Sequence, residues 1–588
     1  MLLFEWGYLM HGRVLGVLSR LSVALAVVLL AVGWTPRAMA APGDVNGDGC
    51  VDVADLMLVF STFGSSTGPT DLVNVLANFG ECATRLRPGP GFSGEPVAAV
   101  PVGSPGDAGY TATAIARWNV VPHQWVIAPM HVGVIAFHMN GIDRVEFTLD
   151  GGEPLVVREK SFNERTGTWE YVATIDPDDF AVGREVEVRA LVYPRRAGEP
   201  RVVEPLFLHV HPDDLPRPAP VYVSETGDDA TADGSRSKPF RTIWAAMKAH
   251  GATADISGLT VYLEAGRYSL EGSASPRPFT SDGWVTVRAA PGVERNSVRV
   301  GAGRVRVKYL ALRDLVIDLS GGGNVFNYPT LEPSLWLDNV VALGPGPAAG
   351  TTVTRAQGWR GLYITRSVFT GFRDGAQGAT LARDVSLYDL GSDAFGDARL
   401  VVNCRVFGIE APAGSGFHPD VYQFSGAGGV RDNTIVYGLR AVNADAQGLF
   451  ADDLDRIENA AFVNMEIKKS GPSYLKSQWD VPIDHVLLWH TSIRGQAFFW
   501  RTTDYTNLSI KGCVFEKAEG FLNVPSSVGV SNHFVEDGTF GARTFGADAT
   551  SGDPSPAVLR DRLAEVIVEA DIAGVRRYVP DVGPVEFD

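Results

Sequence analysis

Side-chain oxygens stand at positions 1, 3, 5, 9 and 12 of the segment Asp44–Asp55 (DVNGDGCVDVAD), and Gly49 falls at position 6. A hard divalent cation such as calcium takes about six to eight oxygen ligands around a sharp glycine turn, and this spacing offers that arrangement. Asp44, Asn46, Asp48, the Cys50 carbonyl, Asp52 and Asp55 supply the ligands of one Ca2+. The loop runs directly into 54–63, whose apolar positions suit an amphipathic helix that the bound ion would start.

A second group of reactive side chains lies in the C-terminal half. His418 and Asp420 are two residues apart, so on a strand they share one face, and the carboxylate can raise the pKa of the imidazole or orient its proton. Asp393, Lys476 and Arg501 fall in the same polar row, together with Tyr422, Gln423, Gln447, Gln478, Trp479 and Trp500 as surfaces for a sugar polymer. Two chemistries fit these residues. In an elimination, Lys476 or His418 removes the proton beside a uronate carboxyl group, while Arg501 or an additional calcium in the groove neutralises that carboxylate. In a hydrolysis, two carboxylates among Asp393, Asp397 and Asp420 flank the glycosidic bond, about 5 Å apart for retention or roughly 6.5–9.5 Å for inversion. The competing reading of His418-Pro419-Asp420 is a proline-stiffened turn bearing a solvated histidine.

Such residues converge only if short strands stack. Apolar segments recur as LRDLVIDL, LWLDNVVAL, LYITRSVF, LVVNCRVF, VRDNTIVYG, FVNMEIKK, LLWHTSIRG and LSIKGCVF, at intervals of roughly 20–30 residues, which indicates a solenoid. A second strand per coil aligns GAQGATL, SDAFGDARL, HPDVYQF, AQGLFAD, SYLKSQWD and QAFFWRTT. Outward side chains of stacked coils then lie about 4.8 Å apart, forming a polar groove. Cys404 and Cys513 sit in these apolar runs and read as buried core.

The start of this region, VYVSETGDDATADGSRSKPFRTIWAAMKA followed by TVYLEAGRYSL, is similar to the opening of secreted right-handed parallel β-helix proteins of the pectin-lyase-like kind. In those proteins a short helix caps the first coil. The tail 555–588 resembles their C-terminal cap, with Asp571, Gly574, Arg577, Pro580, Asp581 and Gly583 in a D-x-x-G-x-x-R and P-D-x-G pattern. The resemblance implies the fold and a polysaccharide ligand. It does not extend to the NTD, DD, GHG and RIK segments of polygalacturonases or to the clustered aspartates of typical pectate lyases.

The calcium loop, with the echo of ADLMLVFSTFG in TDLVNVLANFG, resembles the dockerin family. That implies attachment to a cohesin-like or cell-surface protein, although the connector SSTGPT lacks a second calcium set. Residues 97–212 carry short alternating segments such as RVEFTLDGG, TWEYVATID and EVEVRALVYP, as expected of a β-sandwich. The stretch GIDRVEFTLDGG resembles bacterial immunoglobulin-like domains, a spacer or sugar-binding module. His131, His138, His209 and His211 are scattered through it without a spacing that closes a metal site.

Arg13 and Arg20 precede an apolar run, Leu21 to Trp34, and Ala38-Met39-Ala40 reads as a cleavage site, so 1–40 is expected to be a signal peptide. No later run is long enough to span a bilayer. Export would permit Cys50 and Cys82 to pair. A balance of 51 basic against 68 acidic residues, net −17, repels phosphate backbones and argues against a nucleic-acid partner.

The expected chain is mainly β. A signal peptide (1–40), a small α-helical dockerin-like or EF-hand-like module (43–84) and a linker (85–96) precede an immunoglobulin-like sandwich (97–212). A right-handed parallel β-helix (220–535) and a capping segment (536–588) complete it. The function expected is that of a secreted or cell-surface carbohydrate-active protein, a polysaccharide lyase or glycoside hydrolase. The alternative is a non-catalytic glycan-binding or structural β-helix.

Overall fold

The computed structural model describes residues 112–211 and, with short gaps, 219–534, together with Val59, Thr70, Leu86, Thr550 and Ser551. The chain divides into two compact units, 1–84 and 85–588. In the first, Val59 and Thr70 are described, and both are helical. The signal peptide, the calcium loop, Cys50, Cys82, the linker apart from Leu86, and most of the capping segment lie outside the described residues.

Two sheets make up 115–210, antiparallel throughout except where Trp125–Val126 pairs parallel with Leu206–Val210. One orders the strands Ile115–Trp118, Met130–Phe137, Thr168–Ile175 and Ser161–Asn163. The other runs from Trp125–Val126 through Leu206–Val210, Arg184–Pro194 and Ile142–Leu149 to Leu155–Val157. Period-two alternation decides which faces meet: Val145, Phe147 and Leu149 are buried while Arg144, Glu146 and Thr148 are half-buried between them. Both sheets contribute to one apolar core, with Val134 and Ala173 from the first and Phe147 and Val188 from the second.

From Val221 onward every strand pair is parallel, in a sheet of 13 strands and a second of 17. Successive coils hold their partners in register, so that Val261, Val287, Leu312, Leu337 and Ile364 are consecutive neighbours in one buried row. This is a parallel β-helix: one coil cannot bury its own apolar face, and stacking turns each row into a continuous core. The helix Ile243–Ala249, N-capped by the Thr242 hydroxyl, buries Ile243, Ala246 and Met247 against the first coils, as the sequence led us to expect.

All but one of the apolar segments expected to be single strands are broken in two; VRDNTIVYG falls in the single strand Val430–Tyr437. In LRDLVIDL, Tyr309–Arg313 belongs to the first sheet and Val316–Asp318 to the second. Between them Asp314 adopts φ +53°. The same corner recurs at Asn339, Arg366, Asp384, Asn403, Gly438, Asn464, His490 and Gly512, all with positive φ. Asparagine, aspartate and glycine tolerate this left-handed geometry, which reorients the chain within one residue. The residue after each corner points into the core, and Cys404 and Cys513 are two of these, both fully buried free thiols.

The sandwich is not a projecting spacer. It lies on the outer face of the first sheet, where Trp284, Tyr309, Trp336, Tyr437 and Trp489 form one apolar cluster with Ile115, Ile135 and Phe137. Polar contacts fix the seam. The Asn433 amide exchanges two 2.8 Å hydrogen bonds with the backbone of Ala116, Arg201 grips Asp432 through both terminal nitrogens, and Arg383 donates to the Asn119 carbonyl at 2.8 Å.

Candidate functional site

From SDAFGDARL onward the segments aligned from the sequence supply strands of the second sheet, whereas GAQGATL, the first of them, forms no strand there. In the second sheet, Gly396, Gln423, Phe450, Gln478 and Phe499 are partners in one row, and Phe395, Tyr422 and Leu449 in another. Asp420 pairs with Gln447, one coil on. The face is where the expectation fails. Tyr422, Phe424 and Asp420 share strand parity, and the first two belong to the core.

Asp420 is therefore fully buried instead of lining an open groove, and Gln447 is 5% exposed. Tyr422, expected to bind substrate, is 1% exposed and donates its hydroxyl to the Ala398 carbonyl at 2.6 Å. Trp479, expected to stack on sugar, is fully buried in the same core. Gln423 and Gln478 remain half-buried in the outer row, on either side of Phe450. Lys476 and Arg501 lie outside the described residues, and for Trp500 the backbone strand alone is described. Asp397 is engaged by Arg431 at 2.8 Å.

What converges is a stack of acids beneath one imidazole. His418 stands half-exposed, with Nδ1 3.7 Å from Oδ2 of Asp420. Its ring meets the edge of Phe450, centroids 5.2 Å apart. Asp393, on the preceding coil, accepts the Asp420 backbone N–H at 3.1 Å. Among the described residues, neither carboxylate oxygen of Asp420 has a hydrogen-bond partner, nor has Oε1 of Gln447, although these atoms are buried.

Burial pushes the Asp393 carboxyl up to about 8, with the charges of Asp420 and Asp374 adding to the rise. Burial also lifts Asp420, to about 6, against the opposing pull of His418. Two carboxyls this close titrate as a pair, so the pair retains a proton near neutral pH. Asp420 in turn raises the His418 imidazole above its ordinary value.

Sequence reasoning missed the wall of this site. Arg373 binds Asp374 through Nε at 2.8 Å and Nη2 at 2.6 Å, and its guanidinium lies 5.6 Å over the Phe417 ring. The signal was available in Phe417, which directly precedes His418. The scattered-histidine reading of the sandwich also needs correction. His131 and His211 serve contacts within the sandwich and His138 meets His485 of the β-helix, but His209 meets His123 and Glu185, with one ligand atom of each within 4.8 Å of the others.

No protein-family description matches the sequence, and no curated protein matches it. Among solved structures, a family 28 exopolygalacturonase of Yersinia enterocolitica is similar, at 9% sequence identity over 74% of this chain and 100% of that one, with a TM-score of 0.24.

Proposed function

We propose that the chain is an exported carbohydrate-active enzyme, a polysaccharide lyase, in which His418 exchanges a proton with an extended polymer lying across the stacked coils. The observation that carries this reading is the half-exposed imidazole held over the fully buried Asp420, whose backbone N–H is accepted by the half-buried Asp393. An imidazole whose pKa is raised by a fixed carboxylate suits removal of the weakly acidic proton beside a uronate carboxyl group. Asp420 orients the ring and stabilises its protonated form, and Asp393 keeps the buried pair from carrying two charges. Arg373, which lies over Phe417 and is paired with Asp374, is the cation proposed to meet the uronate carboxylate, and would have to share its charge between the two. Hydrolysis fits less well, because its two carboxyls must both reach the glycosidic bond and Asp420 is fully buried.

The test is product release from a panel of uronate and neutral polysaccharides, followed by ultraviolet absorbance of unsaturated ends and by reducing ends. His418→Ala is expected to lower the absorbance signal about 100-fold or more, the scale of a lost general base. Reducing ends without absorbance would make the enzyme a hydrolase. No product from any polymer would make it a glycan-binding β-helix.

The segment Asp44–Asp55 is proposed as a one-ion calcium loop in a dockerin-like module that tethers the enzyme to a cell-surface or cohesin-like protein. Terbium luminescence displaced by calcium tests it. Asp48→Ala is expected to weaken binding by at least about tenfold, and equal signals from wild type and variant would remove the site.

A further inference from the structure

The seam between sandwich and β-helix holds a cluster that the proton chemistry does not use. His123 follows the first sandwich strand, Glu185 lies on Arg184–Pro194 and His209 on Leu206–Val210. Nδ1 of His123 lies 3.3 Å from Oε1 of Glu185, buried and without a hydrogen-bond partner. Its other nitrogen, Nε2, meets the Tyr309 hydroxyl at 3.1 Å. His209 has the same division: its Nε2 meets the Asp282 carbonyl oxygen at 3.0 Å. A carbonyl accepts only, so Nε2 of His209 carries the proton and Nδ1 carries the lone pair.

We propose that His123, Glu185 and His209 form a binding site for a divalent transition cation of the zinc type, clamped at the seam between the two domains. Tetrahedral ligands about 2.0–2.1 Å from zinc stand roughly 3.3 Å from one another, which is the His123–Glu185 separation. His209 has its ligand atom within 4.8 Å of the other two, so it closes by at most about 1.5 Å. Two imidazoles and a carboxylate are the donors such a cation prefers, whereas calcium prefers an all-oxygen set. Metal-bound histidines characteristically give their second nitrogen to a carbonyl or similar partner, which fixes the ring. Here both partners, the Asp282 carbonyl and the Tyr309 hydroxyl, come from the β-helix while all three ligands come from the sandwich. The ion therefore binds best when the domains are docked, and it stabilises that docking.

The experiment uses the full chain, stripped with a chelator and re-equilibrated with zinc in excess calcium, which occupies the oxygen-rich N-terminal loop. Free metal is removed by gel filtration, and bound zinc is counted by elemental mass spectrometry. About one zinc per wild-type chain is expected. Glu185→Gln and His209→Gln should each lower zinc affinity at least about tenfold, and cobalt in place of zinc should give the visible absorption of a tetrahedral site. Tyr309→Phe, which leaves all three ligands intact, should weaken zinc about tenfold if the β-helix positions the site. Glu185 is 44% exposed, so its glutamine variant is expected to fold, with circular dichroism as the check. A wild-type chain that retains no zinc, or variants that retain it equally, would overturn the proposal.

Discussion

Asp420 holds a carboxylate where water does not reach, and the neighbouring Asp393 meets its backbone in place of a cation. Such a pair is a liability above the pH at which its proton leaves. Because both folded values are raised, the favourable contribution is complete below the unfolded carboxyl range near pH 4 and is lost as pH climbs toward about 8. Asp393→Asn keeps the shape without the second charge. It is expected to be more stable than wild type at pH 8 by on the order of 2 kcal/mol and indistinguishable from it near pH 4. Denaturant melts at the two pH values check this, and a constant difference would mean that Asp393 is not ionising there. The sequence revealed which residues share this site but not their side of the strand. Tyr422 and Phe424 carried the missing information, since apolar residues at i+2 and i+4 turn Asp420 inward. Its polarity suggested a solvent face and concealed that parity.

At the scale of the strand, the repeating unit is a corner with a left-handed residue, not a fixed coil length. Aspartate or asparagine stood in most of the apolar segments, as in LRDLVIDL, LWLDNVVAL and LVVNCRVF. Read as single strands, these segments gave the correct stack but too few strands per coil. Arg366 hides the pattern, because arginine does not favour positive φ and tertiary pairing imposes it. Arg366 is held by Asp338 at 2.7 Å and 2.9 Å. Gly438 shows what the corner costs a side chain: φ is +75°, and an added Cβ would stand 2.7 Å from Oδ1 of Asn403. Gly438→Ala is expected to destabilise the protein by about 1–3 kcal/mol, read from the denaturation midpoint. An unchanged midpoint would mean that the corner relaxes freely.

Across the whole molecule, the sandwich was legible from its alternation, but its docking was not, because outward aromatics such as Trp336 and Trp489 look like core in sequence. His138 and His485 stack across the seam with centroids 4.7 Å apart. Burial depresses His138 to about 4 and His485 to about 3, so both enter the folded state neutral. A depressed histidine contributes stability that is complete above the unfolded value near 6.5 and is lost as pH falls toward the folded one. The seam should therefore weaken on acidification from pH 6.5 to 4.5. His485→Asn, matching Asn433, Asn459 and Asn507 at the same left-handed position of neighbouring coils, is expected to flatten that loss of melting temperature. An unchanged slope would place the acid sensitivity elsewhere. The corners carry one more consequence. Their spacing runs from 18 residues, Arg366 to Asp384, to 35, Asn403 to Gly438, and the longer coil is the one that contains His418. Each corner restarts the register, so chain inserted or deleted between two of them is absorbed within its own coil. The loop that presents the imidazole can thus change length and ligand preference over evolutionary time while every neighbouring coil stays where it is.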